Sequence, residues 1–215
     1  MNLLLEKLYL EKKEFVDSDM LKKYCKSLKL DYTSIIKNLL NSGYLVRIFR
    51  GIFYVRPLED KKLGKSKYSA WDLVIKGLEL KGIKNWYFGL NTALKLNNLT
   101  HEFFSMDYIM NDKIFRLNPI TIEGKKFKFI KLKPELLTFG IKENENIKYS
   151  DHEKTILDFI YLRKQNGTPD ERIILEISEW AEGVSKSKIK KYLKFYPKTV
   201  AKVFEGMSKN EKRIY

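Results

Sequence analysis

The sequence is short of the residues that build covalent or metal frameworks: one cysteine, two histidines and five prolines in 215 residues. A lone Cys25 forms no internal disulfide, and with only His101 and His152 beside it no four-ligand zinc set assembles. No structural metal and no cofactor are expected. Apolar runs are short as well: Ile156 to Ile160 is interrupted by Asp158, against the ~18 residues a membrane helix needs. The start, Met1-Asn2-Leu3-Leu4-Leu5-Glu6-Lys7, has neither a basic leader nor a small-residue cleavage site, so a cytoplasmic protein without membrane association is expected. The Gly-x-x-x-x-Gly-Lys-Ser/Thr, Gly-x-Ser-x-Gly and His-Glu-x-x-His patterns are missing, which removes three common enzyme classes.

Positive charge, by contrast, is plentiful. There are 42 basic and 27 acidic residues, a net of +15 with a pI near 9.6. That makes a polyanion the first partner to consider, although a lysine excess also serves general solubility. The surplus does not locate a site: residues 1–60 carry 11 basic and 8 acidic groups, 61–149 carry 17 and 9, and 150–215 carry 14 and 10.

The order of elements in residues 1–60 is more informative. Leu4, Leu5, Leu8 and Tyr9 repeat at helical spacing, and Phe15 to Asp19 ends that helix and offers an N-cap to a second one carrying Leu21, Tyr24 and Leu28. Asp31 caps a third helix with Ile35, Ile36, Leu39 and Leu40 on its inward face, and Gly43 suits its left-handed terminus. Tyr44 to Phe49 and Ile52 to Val55 then form a hairpin about the Arg50-Gly51 turn, closed by Arg56-Pro57. Three short helices and a hairpin spell a winged helix-turn-helix.

Such a module lays its third helix in the major groove of double-stranded DNA and its hairpin along the backbone. The residues left for the groove are Tyr32, Thr33, Ser34, Lys37, Asn38 and Asn41, with Lys37 suited to phosphate or guanine and Asn38 to adenine. Arg47, Arg50 and Arg56, three of the seven arginines, fall within ten residues on the wing. The same module also serves protein–protein contact, for which this polar face would be a solvated surface.

The polar, basic stretch 61–67 reads as a linker, and 68–215 as a mixed α/β domain with a helical tail, giving an α+β chain overall. A helix over 69–82, a strand at Trp86 to Phe88 and a helix at Leu90 to Leu96 come first. Strands are expected at Phe103 to Met110, Ile114 to Leu117, Ile120 to Ile122 and Phe127 to Leu132. Ser150 to Glu153 and Thr168 to Glu171 read as capping boxes. Asp151, Glu153 and an exposed His152 sit in a first helical turn that favours acids. In the tail, Lys186, Lys188, Lys190, Lys191, Lys194 and Lys198 either extend a nucleic-acid surface or line a solvated helix.

The stretch Gly43 to Val55 resembles the wing signature of the AbiEi-type antitoxin and transcriptional regulator family of abortive-infection systems. Tyr87 to Leu94 with Leu99-Thr100, and the helix Glu153-Lys154-Thr155-Ile156-Leu157-Asp158, are similar to two further stretches of that family. The resemblance implies a regulator that binds its own promoter through residues 1–60. It also implies a type IV antitoxin that opposes a nucleotidyltransferase-like toxin without needing to touch it. A homodimer would suit an inverted-repeat operator.

The alternative is a Mg²⁺-dependent nuclease of the PD-(D/E)xK kind, built from Asp107 or Asp112 with Glu123-Gly124-Lys125. Against it, Glu123-Gly124 reads as a turn, whereas that chemistry wants its acid and lysine on one strand.

Overall fold

The computed structural model describes residues 2–64 and 66–211, with side chains as far as residue 207. The chain is mixed α/β with a helical tail, and it divides into two compact units. Unit 1 comprises residues 1–84 together with 121–125, and unit 2 comprises 85–120 and 126–215.

Unit 1 runs α1 (Leu3–Leu10), β1 (Phe15–Asp17), α2 (Ser18–Ser27), α3 (Tyr32–Asn41), β2 (Leu45–Phe49), β3 (Ile52–Val55), α4 (Leu58–Leu63) and α5 (Ala70–Leu80). The three strands form an antiparallel sheet in the order β1-β3-β2. Leu4, Leu8, Leu21, Ile36 and Leu39 pack with Phe53 and Val55 in one apolar cluster. α5 packs against β2 and β3 as well, and its Gly77 lies so close to the sheet that a Cβ there would stand 2.5 Å from Ile48 and 2.6 Å from Phe49. β3 is therefore buried at every position, which is why Ile52-Phe53-Tyr54-Val55 is an unbroken apolar run rather than an alternating one.

Three expectations change here. Phe15–Asp17 does more than end a helix, since it pairs with Ile52–Tyr54 as a strand. Residues 61–67 are not a linker: α4 occupies Leu58–Leu63, Lys67 donates its backbone N–H to Asp60 at 2.7 Å, and Tyr68 donates to Glu14 at 2.8 Å. The Tyr68 ring lies 5.5 Å from Phe15 and 5.4 Å from Tyr54. Lys65 of that stretch lies outside the described residues. The first unit consequently reaches Lys84 rather than 60, because α5 is needed to cover the second face of its sheet.

Unit 2 contains β4 (Trp86–Gly89), α6 (Leu90–Leu96), β5 (Met106–Asn111), β6 (Ile120–Ile122), β7 (Lys125–Lys131), β8 (Ile141–Asn144) and β9 (Ile147–Ser150). Residues 121–125 of the β6–β7 hairpin group with unit 1. The sheet order is β6-β7-β5-β4-β9-β8, with β5–β7 and β4–β9 parallel and β4–β5 and β8–β9 antiparallel. The tail follows as α7 (His152–Gln165), α8 (Asp170–Ile177), α9 (Lys186–Tyr192) and α10 (Lys198–Glu211). α7 is the centre of this unit: every residue from Glu153 to Tyr161 is buried.

The expected strand at Ile114–Leu117 does not form. Asn111, fully buried at the end of β5, donates to the Ile114 carbonyl at 3.1 Å and accepts from Lys113 at 3.0 Å, turning the chain locally. β5 starts at Met106, later than Phe103. The α7 cap is Asp151, whose carboxylate accepts from the Lys154 N–H, rather than Ser150. At α8 the N-cap is Pro169 and no side-chain cap bond is made, so Thr168 closes no capping box. His152 is half-buried, its Nε2 lying 2.5 Å from the Trp180 carbonyl.

Candidate nucleic-acid interface

In unit 1 the sequence builds two helices with matching punctuation. The Asp17 carboxylate accepts from Met20 at 2.7 Å and opens α2, and Asp31 accepts from Ser34 at 2.7 Å and opens α3. That backbone hydrogen bond holds the Asp31 carboxyl below its ordinary range. Between them Lys29 takes a left-handed conformation (φ 53°) and Leu30 bonds back to the Cys25 carbonyl at 2.9 Å. α3 ends where Gly43 takes φ 72°.

This geometry sorts α3 into two faces. Ile36 and Leu39 are buried, with Ile35 and Leu40 packed half-buried beside them. Thr33, Ser34, Lys37, Asn38 and Asn41 are exposed. Tyr32 is half-buried, with the Lys22 ammonium 6.0 Å from its ring centre. Sequence reasoning passed over Lys22, Lys23, Lys26 and Lys29, all exposed on α2 and the α2–α3 turn. Their recurrence along α2 was the available signal.

The three arginines divide. Arg47 is exposed, its guanidinium 5.6 Å from the Phe53 ring centre, and Arg50 is exposed at the hairpin turn, where Gly51 adopts φ 81°. Gly51 also accepts the Ser18 N–H at 2.9 Å, which ties the turn to the start of α2. Arg56 is different: it is half-buried and ion-paired with Glu123 at 2.6 Å, and its Nε is buried without a partner. Its guanidinium is committed to folding contacts within unit 1.

The lysines of the tail divide similarly. Lys186, Lys190, Lys191, Lys194 and Lys198 are exposed. Lys188 bridges Asp151 (3.5 Å) and Glu153 (3.2 Å), and these partners raise its pKa, the Glu153 hydrogen bond most.

The carboxylates at the start and centre of α7 all have protein partners. Asp151 accepts from Tyr192 at 2.9 Å and Glu153 from the Ser185 N–H at 3.0 Å. Asp158 accepts from Tyr87 at 2.8 Å and Tyr196 at 2.7 Å, and lies 3.4 Å from the Lys154 ammonium. Lys154 is wholly buried among the rings of Tyr87, Phe139 and Tyr196, and this burial pushes its pKa down. Enclosed so completely, the cluster locks α7 in place rather than meeting a substrate. In the nuclease arrangement, Asp107 accepts from Thr92 at 3.1 Å and Asp112 from Asn85 at 2.9 Å. Glu123 and Gly124 both take positive φ (46° and 75°), so Glu123 sits in a turn before the strand that holds Lys125. Among the described residues no three His, Cys, Asp or Glu side chains group as a metal site, and no helix is long and apolar enough to cross a membrane. Cys25 is buried in the unit 1 core, where burial pushes its thiol up.

No protein-family model matches the chain, and neither does any curated protein sequence. Among solved structures, the Rv2827c protein from Mycobacterium tuberculosis is similar in fold, with a TM-score of 0.56 at 13% identity, covering 95% of this chain and 74% of that one.

Proposed function

We propose that this protein is a DNA-binding transcriptional regulator whose unit 1 is a winged helix-turn-helix, with α3 as the recognition helix and β2–β3 as the wing. The carrying observation is the two-faced α3: Ile36 and Leu39 are spent on the core, while Thr33, Ser34, Lys37, Asn38 and Asn41 remain for base edges and phosphates. Arg47 and Arg50 supply the wing's positive charge, and the exposed lysines of α2 add phosphate contacts. Arg56, assigned to the same surface on sequence grounds, supports the wing from beneath through Glu123.

We further propose that the regulator is the antitoxin of a type IV toxin–antitoxin system, repressing its own operon from the cytoplasm and countering a nucleotidyltransferase-like toxin without obligatory contact. The support is the resemblance of the Gly43–Val55 stretch, of Tyr87–Leu94 with Leu99-Thr100, and of Glu153–Asp158 to the AbiEi-type family. In the last of these stretches Lys154 and Asp158 are the buried pair at the centre of unit 2. A homodimer on an inverted repeat would double the groove contacts.

The test is a mobility-shift titration with the DNA upstream of its own reading frame, paired with co-expression of the neighbouring reading frame. Retarded, uncut DNA and rescue of growth from that neighbour's toxicity are expected. Cleavage that requires Mg²⁺ would instead favour a nuclease, and absence of any shift would remove the promoter-binding role.

A further inference from the structure

We propose that unit 2 carries a second, separate site: a groove for single-stranded nucleic acid, centred on Phe115, Lys128, Lys131 and Arg163. It does not depend on the promoter-binding reading of unit 1.

A hollow of about 450 Å³ lies between the second half of β7, the last turns of α7, the start of α6 and the loop after β5. Its charged lining is of one sign, Lys128, Lys131 and Arg163, with no aspartate or glutamate among its walls. Lys131 is exposed and has no carboxylate partner among the described residues. Lys128 donates to the Leu117 carbonyl, which leaves its charge uncompensated. Asn91, Gln165 and Asn166 add amides that both donate and accept, the chemistry that reads the edge of an unpaired base.

A second hollow, of about 460 Å³, shares Arg163 and adds Arg172 and Thr168. Its one carboxylate, Glu176, is already ion-paired with Arg163. The two hollows share Arg163 and between them carry three further cations, Lys128, Lys131 and Arg172, more positive charge than a single phosphate needs. They fit a chain of phosphates, and a negative lipid surface would leave the amides unused.

The aromatic lining selects the strand over the duplex. Phe115 is 66% exposed on its loop, where it contributes nothing to the apolar core, and Tyr108 lines the same hollow. A base stacks on such a ring only when it is free of its own helix, which duplex DNA does not allow. Leu90, also in the wall, is held at φ 50°, a left-handed conformation that a leucine adopts rarely, and such outliers gather at ligand sites.

The experiment is fluorescence anisotropy of a labelled 12-nucleotide RNA, and of DNA with the same sequence, against the full chain in rising salt. The set comprises the wild type, Phe115→Ala, Lys128→Ala with Lys131→Ala, and Lys37→Ala with Arg50→Ala. Both unit 2 variants change side chains at the surface, and their melting is checked against wild type. The groove predicts that Phe115→Ala weakens strand binding by about tenfold. It also predicts that the lysine pair lowers the slope of log affinity against log salt by about 1.4. The unit 1 variant leaves strand binding unchanged. The RNA and DNA arms identify which strand is preferred. Wild-type affinity in both unit 2 variants overturns the proposal, as does failure of the wild type to bind either strand. If ATP or CTP binds as tightly as the strand, the site is for a free nucleotide and the strand assignment is wrong.

Discussion

The Nζ of Lys154 lies 3.4 Å from Oδ1 of Asp158, one helical turn away on α7, and neither side chain is exposed at all. Tyr87 and Tyr196 supply the remaining hydrogen bonds to Asp158, so the charge pair is satisfied inside an aromatic cage. A buried pair of this kind adds little over an apolar core, yet breaking it strands a charge. Asp158→Asn is therefore expected to destabilise unit 2 by about 3–5 kcal/mol. Adding Lys154→Met should recover much of that loss. Urea unfolding of the two single variants and the double variant checks this, and simple additivity would show that the pair is not coupled.

Alkali should destabilise the protein once pH passes the ordinary tyrosine pKa of 10.0. Burial raises Tyr9 to about 12, and Tyr192 to about 12 with help from its bond to Asp151. Tyr87 and Tyr196 are raised well above the ordinary 10.0, burial being the first cause for each. In each case the native state keeps a proton that the unfolded chain releases, so the stabilisation is complete below pH 10 and is lost as pH climbs from 10 through 12. Lys154, pushed down by burial, works in the opposite sense, but it is one group against these four phenols and the likewise raised Tyr54, Tyr108 and Tyr161. Melting temperature followed from pH 9 to 12 should fall steeply above 10; a flat profile would contradict the burial of these phenols.

Gly77 sits mid-helix in α5, where alanine would ordinarily gain about 1 kcal/mol. Here the added methyl would press on Ile48 and Phe49 at 2.5 and 2.6 Å, and overpacking costs about 1–3 kcal/mol. The packing term wins, so Gly77→Ala should lower stability. A stabilised variant in denaturant titration would show that α5 is not held against the sheet.

Arg50 and Arg56 should behave differently although both belong to the arginine group around the β2–β3 hairpin. Arg56→Ala removes the partner of Glu123 and should lower stability while leaving promoter affinity within about twofold, since Arg56 is not open to phosphate. Arg50→Ala should do the reverse. Melting curves and promoter titrations on the two variants separate them, and equal affinity losses would return Arg56 to the DNA surface.

Much of unit 1 was legible because its punctuation is local. Asp17 and Asp31 are both N-caps, and Gly43 and Gly51 both take the positive φ that their positions suggest. The segment 61–67 misled because its composition is polar, while what fastens it, the Tyr68 ring against Phe15 and Tyr54, is one residue contacting distant ones. The β8–β9 hairpin was passed over for a related reason. Its strands Ile141–Asn144 and Ile147–Ser150 carry little apolar alternation, and its turn uses Glu145 and Asn146 at positive φ without a glycine. Pattern reading sends charge to solvent, so it reads Asp151 and Glu153 as acids of a first helical turn and His152 as exposed, whereas Glu153 is buried. The i,i+4 spacing of Lys154 and Asp158 was the one trace of the buried pair. The surface face of α3 followed from its apolar face, but nothing local distinguished Arg56 from Arg47 and Arg50.

The most direct measurement is the affinity of the full protein for the DNA upstream of its own reading frame, titrated over salt, for the wild type and for Lys37→Ala with Arg50→Ala. The account predicts salt-sensitive binding by the wild type. It predicts a loss of about tenfold or more in the variant, with the log–log salt slope reduced by about 0.9 for each phosphate contact removed and the melting temperature unchanged. Wild-type affinity and slope in the folded variant would contradict the assignment of α3 and the hairpin as the DNA-reading surface.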